Sequence, residues 1–225
     1  EIGTLIRKGE KEMPKRKLFT ATLCILLTAA ILFPTAAFAA DNSRFKGNTA
    51  SADFYSMPDE CTEQYAWVYA VEEKQHQPPG PPETGQWVDV HVSTFNYCTN
   101  TGTYAYGGKF MESDEFQFDK KLNSASLNTT VTATQYDYWY GTEIGSVDIA
   151  VQLDWTGEGD VYKGQSSYRY KVGNCMYRDR YTGSDRYAEP SGSISDGMTE
   201  YAASPDYAYG YLTLTKNGST VVNCY

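Results

Sequence analysis

From residue 64 onward, apolar and polar residues alternate along the chain with a period of two. Gln64–Val71 sets Tyr65, Trp67, Tyr69 and Val71 against Ala66, Val68 and Ala70. Trp87–Phe95 sets Val88, Val90 and Val92 against Asp89, His91 and Ser93. Ser124–Thr134 does the same with Ala125, Leu127, Val131 and Ala133, and Val147–Trp155 with Val147, Ile149, Val151, Leu153 and Trp155. Such alternation lays one face of a strand on a core and leaves the other to water. Further strands are predicted at 103–107, 115–119, 166–172, 207–215 and 219–224, and no helical period follows residue 40. About nine strands with turn signals between them predict an all-β fold: an antiparallel β-sandwich or jelly roll, with a closed β-barrel as the alternative. The expected turns are Gly107-Gly108, Gly157-Glu158-Gly159 and Asn217-Gly218, the last a tight hairpin.

The first forty residues follow another pattern. Lys15-Arg16-Lys17 precede a largely apolar run, Leu18 to Phe33; Pro34 ends it and Ala37-Phe38-Ala39 follows. That order is the signature of a secretory signal peptide cleaved near Ala39. The run is shorter than the ~20 residues a spanning helix needs, so no membrane insertion is expected after cleavage. Residues 1–12 read as translated leader, because Lys8-Gly9-Glu10 can be encoded by a purine-rich ribosome-binding sequence just upstream of the Met13 codon; this points to a bacterial source. The expected division is leader 1–12, signal peptide 13–39, a flexible N-terminal arm of small polar residues 40–52, and a single all-β domain 53–225.

Charge narrows the partners. Six of the 19 Lys/Arg and three of the 28 Asp/Glu precede Ala40, which leaves 13 basic against 25 acidic residues, a net −12. Such a surface opposes nucleic acid and anionic lipid and suits a secreted, extracellular or cell-wall-associated protein. Cys24 leaves with the signal, so four cysteines remain: Cys61, Cys98, Cys175 and Cys224. An even number in an exported domain predicts two disulfides. Gln77-Pro78-Pro79-Gly80-Pro81-Pro82 reads as an exposed loop between strands 64–71 and 86–95. Pairing those strands across it brings Cys61 to Cys98, and Cys175–Cys224 follows by elimination. Zinc is a poor fit, since the spacings are not those of a zinc site.

Several stretches together resemble a loose group of secreted bacterial β-domain proteins: Leu122 to Asn128, Val151 to Gly157, Arg186-Tyr187-Ala188, Ser191-Gly192-Ser193 and Asp196-Gly197. The resemblance covers roughly residues 115–200. It implies fold and location, and carries over no functional residues.

Candidate chemistry is sparse. The nearest approach to a nucleophile elbow, around Ser193, lacks the G-x-S-x-G spacing. Asp148 and Asp154 lie about 20 Å apart along one strand face, too far for a glycosidase pair. Asp154, Glu158 and Asp160 gather carboxylates with two glycines in a supposed turn, which suits Ca²⁺, against the alternative of an ordinary acidic turn. Otherwise no cofactor is expected. Glu112-Ser113-Asp114-Glu115 is a weaker case of the same kind. The basic residues Arg169, Lys171, Arg178, Arg180 and Arg186 read as a solvated strand pair with cross-strand ion pairs.

Tyrosine is the outlier, at 20 of 225 residues. Tyr136, Tyr138 and Tyr140 are expected on one side of an extended segment that also carries Trp139, and Tyr207, Tyr209 and Tyr211 repeat the arrangement. Wet aromatic rows can stack on sugar rings, whose faces are apolar; cross-strand packing alone also explains them. The expected function is a secreted, non-enzymatic binder of polysaccharide or of an extracellular protein. A glycan hydrolase with paired carboxylates and a structural envelope, matrix or spore-associated protein are the alternatives.

Overall fold

The computed structural model of the chain describes residues 43–77, 80–202 and 205–224. The expected leader and signal peptide lie outside the described residues, as do Ala40 to Asn42 and, in the proline-rich loop, Pro78 and Pro79. Among the described residues no helix is long and apolar enough to cross a membrane.

The protein is all-β. Its strands are β1 (Ser43–Ser56), β2 (Thr62–His76), β3 (Glu83–Asn96), β4 (Thr101–Phe110), β5 (Phe116–Phe118), β6 (Ser124–Asp137), β7 (Glu143–Val172), β8 (Cys175–Ser195) and β9 (Tyr207–Cys224). All nine belong to one sheet, ordered β4-β3-β2-β1-β9-β8-β7-β6-β5. A sandwich or jelly roll would divide them between two sheets. Here strands adjacent in sequence are mostly adjacent in space, β1 pairs with β9, and Thr103–Tyr106 of β4 pairs with β6, so the ladder runs round in a ring.

One face of each long strand lines the core over at least part of its length. The wall from β1 to β3 contributes mainly small residues, Ala50, Ala52, Ala66, Val68, Ala70, Val88, Val90 and Val92, with Phe54; the wall from β5 to β7 contributes Phe116, Leu127, Ile149, Leu153 and Trp155 beside smaller Ala125, Val131, Ala133 and Val151. Trp155 is 1% exposed, and its Nε1–H donates to the Ser51 carbonyl at 2.8 Å, joining the two walls.

This arrangement explains the first correction. Residues 43–52, expected as a flexible arm, are the first part of β1, paired on both sides with β2 and β9. Their inward residues are only Asn48, Ala50 and Ala52, so burial leaves little trace in hydropathy. Among the described residues the count of nine strands agrees with expectation, but its membership differs. β1 and β8 were absent from the prediction, whereas 147–155 and 166–172 are one strand, as are 207–215 and 219–224.

The three glycine turns are not turns. Gly107 and Gly108 lie within β4, Gly157-Glu158-Gly159 within β7 and Asn217-Gly218 within β9. At Gly107 a Cβ would lie 2.7 Å from the Ala133 Cα, so glycine there admits the close approach of β4 to β6. At Gly218 a Cβ would collide with the Phe45 ring, beside a register shift that skips Lys216. Glycine marks backbone contact or a bulge in these strands rather than a reversal.

The proline-loop hairpin is as expected: β2 and β3 pair from Thr62↔Asn96 to Gln75↔Glu83, and Cys61–Cys98 is a disulfide with Cα atoms 5.3 Å apart. Cys175 is disulfide-bonded, and its backbone stands opposite Cys224. The basic stretch departs from expectation. Arg169 faces Arg178 across β7 and β8, so like charges meet where ion pairs were anticipated.

Candidate functional site

Phe54, Phe116, Trp155 and Tyr201 belong to the core, but most of the tyrosines of β1 to β4 and β9 lie on the outer face of the sheet. In β2 the inward set is Ala66, Val68 and Ala70; Tyr65, Trp67 and Tyr69 alternate with it on the outer face, where Tyr69 is itself buried and stacks on Trp67. The interior takes mainly small side chains from this wall, Phe54 excepted, so most of its large rings are laid on the outside. Strand register then assembles a row across the sheet. Tyr136 pairs with Tyr104, Tyr104 with Ser93, Ser93 with Tyr65, Tyr65 with Tyr55, and Tyr55 with Tyr207. The next row places Tyr106, His91, Trp67, Asp53 and Tyr209 side by side.

Over the first row lies an open groove of about 390 Å³, lined by Tyr55, Glu63, Tyr65, His91, Ser93, Tyr104 and Tyr138. Tyr104 and Tyr136 stack with centroids 5.0 Å apart and planes at 16°. His91 touches the rings of Tyr65 and Tyr104 at 5.8 and 6.0 Å. At one end Phe95 packs against Tyr97, Tyr138 and Trp139. Tyr97, Trp139 and Tyr207 remain more than half exposed, so the row ends in accessible rings.

Carboxylates anchor the phenols. The hydroxyls of Tyr55 and Tyr97 both donate to Glu63 Oε2, the former at 3.4 Å. The Tyr65 hydroxyl donates to Asp53 Oδ1 at 2.6 Å, and that of Tyr106 to Asp89 Oδ1 at 3.3 Å. The Cys61–Cys98 bridge flanks the Glu63–Tyr97 pair, reinforced by the Tyr97 N–H donating to the Cys61 carbonyl at 2.7 Å. The hydrogen bond to Glu63 pushes Tyr97 up to about 12. Burial, then the nearby Asp53, raises Tyr209 to about 12. Burial holds His91 below its ordinary value, and raises Asp53 and Asp89 against the opposing tyrosine hydroxyls. At neutral pH the phenols of Tyr97 and Tyr209 and the imidazole of His91 are therefore uncharged.

The residues anticipated from sequence are divided by the structure. Tyr136 ends the row in β6, but the strand stops at Asp137, and Tyr138, Trp139 and Tyr140 form a turn. Asp137 Oδ1 accepts from the backbone N–H of Trp139 and of Tyr140, which breaks the expected one-sided row. Tyr138 reaches the groove; Trp139 donates its Nε1–H to the Asn100 carbonyl; Tyr140 is 86% exposed. Tyr207, Tyr209 and Tyr211 alternate on β9 as expected, and continue the same outer face past Tyr55 and Asp53. Tyr55, Glu63, Tyr65, His91 and Tyr104 were not anticipated, because only register across four strands places them together.

The expected calcium turn is not formed. Asp154, Glu158 and Asp160 are spread along β7, with Asp154 on the exposed face opposite Ser126 and Ser191. Among the described residues no group of three or more His, Cys, Asp or Glu is placed to hold a metal ion. Glu115 of the weaker acidic run is engaged elsewhere: it accepts from Lys109 Nζ and the Thr129 hydroxyl, both at 2.6 Å. That contact clamps the seam where β4 leaves β6. No protein-family model, curated protein or solved structure matches the chain.

Proposed function

We propose that this chain is a secreted, non-catalytic binding protein for polysaccharide, which lies along the outer face formed by β9, β1, β2, β3 and β4. The observation that carries this reading is the aromatic row from Tyr136 to Tyr207 over an open groove, with hydroxyls and carboxylates at its edges. Sugar rings offer apolar faces for the phenols and hydroxyls for the polar rim. The disulfide is consistent with an oxidising, extracellular compartment. The test is retention of the disulfide-intact protein on insoluble cellulose, chitin and peptidoglycan, with assay of released sugar. Retention without release is expected, and Tyr104→Ala or Tyr65→Ala should weaken it about tenfold, the equivalent of one aromatic contact. Sugar release would replace this reading with the hydrolase. No retention on any of the three would refute it.

A second reading has its own observation. From Tyr162 to Val172, β7 pairs with β8 but, among the described residues, not with β6, which leaves a long strand edge. Such an edge is a template for self-association, the structural role. Concentration-dependent oligomers in sedimentation would favour it.

A further inference from the structure

We propose that the groove selects saccharides carrying free amino groups, with Glu63 as the carboxylate that receives the ammonium. This rests on the polysaccharide reading and narrows it. The two strand rows hold Tyr, Trp, His, Ser and Asp53, and the rows on either side add Glu63 and Asp89; among the described residues none of these positions is Lys or Arg. A uronic-acid or sulfated chain would lie against carboxylate with no cation to meet it. An ammonium group meets two favourable partners there. Phenol faces attract cations through the ring quadrupole. Carboxylate accepts charge-assisted hydrogen bonds from it.

Glu63 is the carboxylate placed for this. Tyr55 and Tyr97 both donate to its Oε2, which orients the group, and its Oε1 accepts no hydrogen bond among the described residues. Asp53 and Asp89 stand deeper, each held by a tyrosine hydroxyl of the outer face. His91, neutral through burial, adds no competing cation to the groove wall.

Calorimetric titration of the full chain with three hexasaccharides tests the inference: glucosamine with its amines protonated, N-acetylglucosamine, and galacturonate. The glucosamine hexamer should bind about tenfold more tightly than the acetylated one, one charge-assisted contact's worth, and the galacturonate hexamer not at all. Glu63→Gln should erase the preference and keep acetylated binding within about twofold, whereas Glu63→Asp, which retains the charge, should keep part of it. Asp154→Asn, an exposed β7 carboxylate far along the chain from the groove, should change nothing. Equal binding of the two amino-sugar hexamers would overturn the amine selectivity and leave the polysaccharide reading standing. A preference that survives Glu63→Gln, or falls equally in Asp154→Asn, would mark bulk charge attraction and also overturn it. A lysine hexapeptide that binds as tightly, with the same Glu63 dependence, would replace the saccharide by a cationic peptide. Binding of neither amino-sugar hexamer would end both readings.

Discussion

The two halves of β7 are one strand in two environments. From Val147 to Trp155 it alternates strictly, with Ile149, Val151, Leu153 and Trp155 buried and their neighbours exposed. From Glu158 to Val172 nearly every residue is exposed, on both faces. The first half is a wall of the ring, paired with β6 and β8; the second pairs with β8 alone. A strand therefore persists here without a core, held by its ladder, by the two-residue Gly173-Asn174 reversal and by β9 beyond β8. Ladder hydrogen bonds are individually modest, and a ribbon without an apolar face is at the margin of stability. The ring holds the stability, and the ribbon is an extension of it.

The largest test of that contrast is Trp155→Ala, which empties the centre of the core and removes the bond to Ser51; it should cost about 3–5 kcal/mol in chemical denaturation. An unchanged midpoint would mean that the core is not where the ring's stability lies. Removal of the Cys61–Cys98 bridge by paired serines should cost about 2–4 kcal/mol and weaken saccharide retention, because the bridge flanks Glu63 and Tyr97. Retention at full strength in that variant would separate the groove from the hairpin end. Glu115→Ala should cost about 1–3 kcal/mol, since it leaves Lys109 and Thr129 without their partner at the β4–β6 seam.

Acid and alkali sharpen the comparison by titration. Desolvation raises Glu115, but the Lys109 ammonium, the Thr129 hydroxyl and the Glu112 N–H outweigh it and hold the carboxyl at about 2. A depressed carboxyl stabilises fully above its ordinary value of 4.5, and the contribution is lost as pH falls through about 2. His91, also depressed, makes the folded state less stable as pH falls below its ordinary 6.5, because the unfolded chain takes up the proton first. In the other direction, burial raises Tyr201 and Tyr209 to about 12; their contributions are intact below pH 10 and lost as pH rises through about 12. Phenolate absorbance followed against pH should show part of the tyrosine titrating late and together with unfolding; a single simple titration near 10 would refute it. The smallest effect belongs to the ribbon. Tyr162→Ala, at a residue 59% exposed, should stay within about 0.5 kcal/mol. In hydrogen exchange the amides of 162–172 should open before those of 147–155, and the reverse order would break the comparison.

The sequence by itself determined the strands whose two faces differ in polarity. β2, β3, β6 and the first half of β7 were legible because burial on one side writes a period of two, and the Cys61–Cys98 pair because a proline loop marks its hairpin. It could not show the first part of β1, whose inward residues are only Asn48, Ala50 and Ala52, or β8, much of which has no buried apolar face to advertise. Its glycines were ambiguous for a physical reason: one residue type serves both for reversal and for close approach, and only the neighbouring strand distinguishes them. The candidate site was half visible. Tyr136, Tyr138, Tyr207 and Tyr209 stood out as local clusters, while Tyr55, Glu63, Tyr65, His91 and Tyr104 are spread over some fifty residues and meet only through register. The tertiary structure alone decided which face of each strand turned inward, because the interior takes mainly alanine and valine from β1 to β3, with Phe54 the large exception, and leaves most of their tyrosines to build the outer surface.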